Sequence, residues 1–450
     1  MDIYKQVGSM SKRHELSEES DVKILYFYLM SAILGLLVGF VGTTFHVFSL
    51  IMASFRSNSI YFLSHNLHLP QVIASIVICS LMILFSIFLV RWFAPEAAGS
   101  GVQEIEGALL GERPMFWRRL LPVKFIAGIF SIGSNLVVGR EGPTIQLGGN
   151  LGQMVAEKCG VDGEKLTFLI GSGAAAGLAV AFNAPLAGIL FFIEELREHC
   201  RFCFVSFIAV AVSCIMATMI YRSYFGAGAV ISMPLLPSPN LTSLIIFFVF
   251  GLMVGLLGLF FNLTIMKLLM FIDSLSLKSK VIYFSIVACI IGAINAFYPE
   301  AVGGGYRILG NALNAPMVLN YLLLMLAGRF ILTLLSYSTG APGGIFAPLL
   351  AIGTLFGLAF AHLLFFFWQP VGVSADMFAI AGMGGLFAAS IRAPITGIVL
   401  IVEMTQNYHL ILPSMVTCLV ATIVVQLAKN PPIYSQLLIR TKRISSSYSR

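Results

Sequence analysis

Two stretches of the chain are near-copies of one another: GSGAAAGLAVAFNAPLAGILFFIEEL at 171–196 and IAGMGGLFAASIRAPITGIVLIVEMT at 380–405. At a constant offset, Ala184-Pro185 falls on Ala393-Pro394, Gly188-Ile189 on Gly397-Ile398, and Glu194 on Glu403. Upstream of each copy stands a Gly/Pro-rich helix start, GREGPT at 139–144 and GGIFAP at 343–348. Self-similarity at long range marks a chain built from two related halves. The halves meet near 225–240, around MPLLPSPN, which divides the chain into an N-terminal segment 1–23, a first half 24–228, a second half 229–432 and a C-terminal segment 433–450. Short apolar pieces interrupted by Gly and Pro, in matching places of two halves, are how transporters build a site at the membrane midplane.

The composition agrees. Apolar residues make up 58% of the 450 positions and charged residues only 10%, with a mean hydropathy of +0.93, whereas soluble domains carry about 25% charge. An all-α, polytopic integral membrane protein follows. A disordered chain, a coiled coil, a secreted disulfide scaffold and a nucleic-acid binder are excluded. Apolar runs at 24–54, 71–90, 120–138, 203–221, 241–271, 281–297, 317–335, 349–367 and 410–428 reach or approach the ~20 residues needed to cross a bilayer. The net charge of +7 gathers in connections and near the termini: Lys5, Lys12, Arg13; Arg113, Arg118, Arg119; Arg197, Arg201; Lys278, Lys280; Arg440, Lys442, Arg443. That is a positive-inside signal rather than a binding patch, and it puts both termini in the cytoplasm. The seven cysteines are odd in number, and Cys200-x-x-Cys203 lacks a second pair or spaced His, so no metal site is expected. No cleaved signal peptide is expected from the start, and no regulatory domain is expected after the last span.

Three segments run a small, Gly-rich backbone straight into an apolar helix: Gly99-Ser100-Gly101; Gly139-Arg140-Glu141-Gly142-Pro143; and Gly343-Gly344-Ile345-Phe346-Ala347-Pro348. A helix N-terminus offers unpaired N–H groups and about half a positive charge, which suits an anion. Proline is at home in a first turn. Partial charges of this kind bind an ion strongly enough to strip water and weakly enough to release it. The competing reading is close helix packing through small residues. Three such segments, accompanied by a hydroxyl and a carboxylate, favour the anion pathway.

GSGVQEIEGAL at 99–109, GREGPTIQLGGNLG at 139–152, AFNAPLAGILFFIEE at 181–195 and STGAPGGIFAP at 338–348 resemble the CLC chloride channel and transporter family, and most nearly its bacterial chloride/proton exchangers. The resemblance covers about 24–440. It implies a homodimer in a lipid bilayer, a pore in each subunit, and two inverted halves with about eighteen mostly tilted helices. It implies chloride coordination by Ser100, by the backbone of Ile345 and Phe346, and by Tyr434 in PPIYSQLL. One departure is plain. Where the family usually reads GSGIP this chain has Gly99-Ser100-Gly101-Val102-Gln103, and Gln for Pro restores an N–H and frees φ at a helix start.

Carboxylates within a membrane are functional candidates. Glu141, beside Arg140, is expected to gate the path by competing with chloride for the same N–H groups, with an ion pair to Arg140 as the structural alternative. The resemblance maps Glu195 onto the family's internal proton acceptor and Glu194 onto an accessory entry position. Glu403 repeats Glu194, but Met404 stands opposite Glu195, so Glu403 is read as structural. Glu104, Glu106 and Lys124 are expected to form a buried charged cluster, and His46, His362 and His409 to be packing residues. The resulting function is antiport of chloride against protons in a bacterial inner membrane, with no cofactor, metal, nucleotide or nucleic acid. The alternatives are an uncoupled chloride channel, against which Glu195 argues, and an exchanger for fluoride or nitrate, against which Ser100 argues. An intramembrane serine protease would need a His base opposite Ser100 or Ser172, and an ATP-driven pump a phosphate-binding loop. Neither pattern is present.

Overall fold

The structure, a computed structural model, describes residues 21–196, 204–314, 317–368 and 370–448. The expectations for the N-terminal segment before residue 21, for Arg197 and Arg201, and for Cys200 and Cys203 lie outside these. The described residues form seventeen α-helices. In chain order they are α1 Asp21–Asn66, α2 Gln71–Phe93, α3 Val102–Leu109, α4 Trp117–Gly133, α5 Glu141–Lys158, α6 Gly163–Phe182 and α7 Pro185–Phe191. A π turn, Phe192–Leu196, follows α7. The chain continues through α8 Phe204–Phe225, α9 Leu244–Ser274, α10 Leu277–Phe297, α11 Tyr306–Asn314, α12 Leu319–Ser338 and α13 Phe346–Phe367. It ends with α14 Ala375–Ile391, α15 Pro394–Thr405, α16 Ile411–Leu427 and α17 Ile433–Tyr448. The all-α expectation stands.

Nine stretches among the described residues are long and apolar enough to cross a membrane. With 46 residues, α1 is roughly 70 Å long, more than twice the hydrocarbon thickness, so it runs tilted and projects from the bilayer. The expected runs are corrected in two places. The run at 120–138 is not one of the nine: α4 has 17 residues, holds Pro122 and stops at Gly133, because the chain turns there into the Gly139 segment. Conversely, α6, which lies outside the expected runs, is an uninterrupted span of 20 residues. A Cβ at Gly173 would strike the Gly148 carbonyl, and one at Gly177 would strike that of Thr144. The glycines of α6 thus let α5 approach backbone to backbone, as small residues do between membrane helices, instead of breaking the helix.

The same contact recurs in the second half, where Gly382 of α14 lies on the Gly353 carbonyl of α13. These central helices form the core. The most apolar window of α6 is 83% buried, against 28% for that of α10, whose exposed Val281, Ile282 and Ile286 face outward as lipid-facing residues do. Asn183 and Arg392, at equivalent places, both adopt a left-handed conformation to end α6 and α14, and Pro185 and Pro394 both start the next helix. The repeat seen in the sequence is therefore a repeat of backbone geometry.

Candidate functional site

The three Gly-rich segments converge. Gly99 N–H donates to Gly340 O at 3.2 Å, and Gly343 N–H to Gly99 O at 3.0 Å. Gly139 and Gly344 exchange two hydrogen bonds of 2.7 Å, an isolated antiparallel bridge. A Cβ at Gly142 would sit 2.5 Å from the Ser100 hydroxyl, and one at Gly344 would sit 2.8 Å from the Gly142 nitrogen. Glycine is needed at both because no side chain fits between the loops. The first segment turns through Gly101 at φ 85°, and α3 begins at Val102. Gln103 in place of the family's proline leaves that helix start intact.

Buried cations hold the loops in place. Lys124, fully buried, donates to the carbonyls of Ala97 (2.9 Å), Gly99 (2.8 Å) and Ser100 (3.3 Å). The expected cluster of Lys124 with Glu104 and Glu106 is therefore organised differently. Glu104 pairs with Arg113 at 3.0 Å, and Glu106 accepts from Ser435 at 2.8 Å, which ties α3 to α17. Arg140 donates to Ala181 O at 2.9 Å and lies over the Tyr306 ring at 5.3 Å.

Glu141 is the first residue of α5 and is wholly inaccessible to solvent. One carboxylate oxygen accepts from the Tyr306 hydroxyl at 2.6 Å. The other faces the backbone N–H of Ala347 in the first turn of α13, without closing a full hydrogen bond. The carboxylate thus lies at a helix start able to hold an anion. Ile345 and Phe346 at that start are fully buried. Phe346 is ringed by Phe387 (5.2 Å), Tyr434 (5.6 Å), Phe191 (6.1 Å) and Phe182 (6.4 Å). Ser100 and Tyr434 hydroxyls are both buried, and neither has a well-formed partner among the described residues. Buried hydroxyls seldom stay unsatisfied, and such donors suit an anion.

The two expected inner glutamates diverge. Glu195 lies within electrostatic reach of Tyr434. Glu194 accepts instead from Ile395 N–H (2.9 Å) and Thr396 N–H (2.6 Å), capping α15. Its repeat partner Glu403 does the same for α7, accepting from Leu186 N–H (3.2 Å) and Ala187 N–H (2.8 Å). Each half thus lends a carboxylate to the helix dipole of the other. Among the histidines, His46 meets the Tyr221 hydroxyl at 3.2 Å and stacks on Phe225, as a packing residue would. No group of three or more His, Cys, Asp or Glu suited to a metal occurs among the described residues.

Sequence reasoning missed Tyr306 and Arg329. The latter is fully buried in α12 and donates to the carbonyls of Glu300, Ala301, Val302 and Gly303 at 2.9–3.4 Å. It thereby shapes the loop that delivers Tyr306. The signal was present in Gly303-Gly304-Gly305-Tyr306, a fourth run of glycines entering a helix.

A family model described as voltage gated chloride channel matches residues 82–426. The H(+)/Cl(-) exchange transporter ClcA of Vibrio parahaemolyticus is 45% identical over 417 residues, covering 92% of this chain and 89% of that one. The protein of that name from Klebsiella pneumoniae is 41% identical over 427 residues, 94% and 90% of the two chains. Among solved structures, a slow cyanobacterial Cl-/H+ antiporter superposes with a TM-score of 0.87 at 38% identity, covering 92% of this chain and 97% of that one. A eukaryotic CLC transporter, with a TM-score of 0.79 at 23% identity, shares the fold. With its three stitched helix starts and its two halves, the chain belongs to the voltage gated chloride channel (CLC) family of multi-pass membrane proteins.

Proposed function

We propose that this protein is a secondary antiporter exchanging chloride for protons across a bacterial inner membrane, as a homodimer with a pore in each subunit and both termini cytoplasmic. The observation that carries the reading is the buried Glu141 carboxylate at the start of α13, a position that an anion can take only when the side chain leaves. Chloride passes along a path lined by the Ser100 and Tyr434 hydroxyls and the backbone of Ile345 and Phe346. Within the three filter segments, Gly99, Gly101, Gly139, Arg140, Gly142, Gly344, Ala347 and Pro348 act by shape and by backbone dipole, and Pro143 needs no N–H where it stands. Glu141 leaves the path when it is protonated and ionises when it returns, displacing chloride. Glu195 passes the proton to and from the cytoplasmic side, off the anion path. Glu194 aids proton entry by setting the backbone between α7 and α15 as a cap. The names of the relatives support this reading, as do two carboxylates in one half where a passive pore needs none. No cofactor takes part.

The runner-up is an uncoupled chloride channel, or an exchanger whose anion is fluoride or nitrate. Purified protein in liposomes, with voltage clamped by valinomycin and potassium, separates them. An imposed chloride gradient should drive protons uphill into or out of the vesicles. Chloride flux without proton movement would replace the antiporter by the channel. Proton pumping driven better by fluoride or nitrate would reassign the anion.

A further inference from the structure

Glu141 is met from the α11 side by the Tyr306 hydroxyl. Tyr306 opens α11 immediately after Gly303, Gly304 and Gly305, with Gly303 at φ 74° and Gly305 at φ 105°. The loop is held at several points. Arg329 grips its carbonyls from Glu300 to Gly303, and Gly303 N–H donates to Asn135 O at 2.8 Å. A Cβ at Gly305 would meet Ala351 and the Arg329 guanidinium at 2.7 Å, so the loop can run there only as glycine. The Tyr306 ring is fixed against Arg140. Its hydroxyl reaches Glu141 at 2.6 Å. Tyr306 is half-buried and Arg307, the next residue, is exposed, so the phenol lies between the buried carboxylate and the protein surface.

We infer that Tyr306 is a latch on the Glu141 gate: its hydroxyl holds the ionised carboxylate in the anion path and lets go when the carboxylate is protonated. The physical basis is the difference between two hydrogen bonds. A phenol donating to a carboxylate makes a charge-assisted bond, roughly twice as strong as the bond it makes to a neutral carboxyl. Protonation of Glu141 therefore weakens its tether at the moment it must leave. The other groups around Glu141 do not supply this switch. Arg140 is fixed by Ala181 O and by the Tyr306 ring. Tyr434 of α17 faces Glu141 only at a distance. Tyr221 of α8 and His46 of α1 act on Arg140 rather than on the carboxylate. From α13 only backbone N–H groups face it. Tyr306 alone among these donates a side-chain bond whose strength follows the charge on Glu141.

The inference rests on the reading of Glu141 as gate, and the test keeps the two apart. Tyr306→Phe removes one oxygen atom and keeps the ring over Arg140. In liposomes at neutral pH its chloride turnover should rise about tenfold, as expected for loss of a hydrogen bond to a charged group. The pH of half-maximal transport should move up by about one unit. The sign follows because the lost bond favoured the ionised form, so the variant protonates and opens at higher pH. In the Glu141→Gln background the same change should do nothing. If Tyr306→Phe superimposes on the wild type in rate and pH profile while Glu141→Gln uncouples, the latch is wrong and the gate survives. A slower Tyr306→Phe with an unmoved profile would assign the hydroxyl to structure and overturn the latch as well. If Glu141→Gln remains coupled and pH-dependent, the gate itself fails and the latch has nothing to hold. Equal thermal unfolding of variant and wild type in detergent checks that the ring substitution is folded.

Discussion

The first residue of α5 and the first residue of α13 occupy equivalent places. Each follows a glycine of the Gly139–Gly344 bridge by two positions, and each is completely buried. The residues are Glu141 and Phe346. The backbone is thus repeated while the chemistry is not. One helix start carries an ionisable carboxyl group, and the other an aromatic ring packed among four others. The same split recurs deeper, where Glu195 of the first half stands opposite Met404 of the second. In contrast, Glu194 and Glu403 are alike in both identity and contacts. The two capping carboxylates keep their symmetry, and the two glutamates we propose as proton carriers, Glu141 and Glu195, have no carboxylate counterpart.

The largest expected effect breaks the asymmetric pair. Glu141→Gln should abolish proton coupling and flatten the pH dependence of chloride flux, because an amide neither binds the proton nor competes electrostatically for the α13 N-terminus. Paired proton and chloride flux assays check this; retained uphill proton movement with reduced stability would return Glu141 to a merely structural role. Next, Glu195→Gln should remove coupling while chloride still passes within a few-fold of the wild type. The reciprocal Met404→Glu should confer no coupling on that background. Loss of chloride flux in a folded Glu195→Gln protein would merge the two pathways kept separate above.

The symmetric positions should respond symmetrically. Gly173→Ala and Gly382→Ala each drive a methyl group into a facing carbonyl, of Gly148 and of Gly353 respectively. Each should destabilise by about 1–3 kcal/mol, as overpacking does, and thermal unfolding in detergent should place the two close together. The smallest effect concerns the caps. Glu194→Gln and Glu403→Gln each take a charge from a helix start, with an expected loss of ~0.3–1 kcal/mol. Their stabilities should match, and proton turnover should fall for Glu194→Gln only. Equal transport by both variants would confine Glu194 to capping.

Much of this was legible before the fold. The near-copies at 171–196 and 380–405, the apolar runs and the three Gly-rich helix starts gave the class, the two halves and the filter segments, because a membrane-depth helix break must be written in Gly and Pro. What was not legible depended on contacts between distant segments. The α6 span was missed among the apolar runs because sequence does not show the α5 backbone pressed against its glycines. The capping of α15 by Glu194 had no local signal because its partners, the N–H groups of Ile395 and Thr396, lie about two hundred positions away. Lys124 read as an ion-pair member because carbonyl groups, which satisfy it here, are present at every residue and so carry no signal. Tyr306 had a local signal in its triple glycine, but its bond to Glu141 spans 165 positions.

The Gly139–Gly344 bridge also has a mechanical meaning. Two short hydrogen bonds join the halves beside Glu141, and the adjoining Gly142 leaves no slack against either Ser100 or Gly344. A seam of this kind resists the rocking of one half against the other by which many carriers expose their cargo alternately to the two sides. On the proposed function, turnover is left to parts that move without unpicking it, first among them the Glu141 carboxylate. A covalent tether across the halves should therefore slow this protein far less than it would slow a rocking carrier.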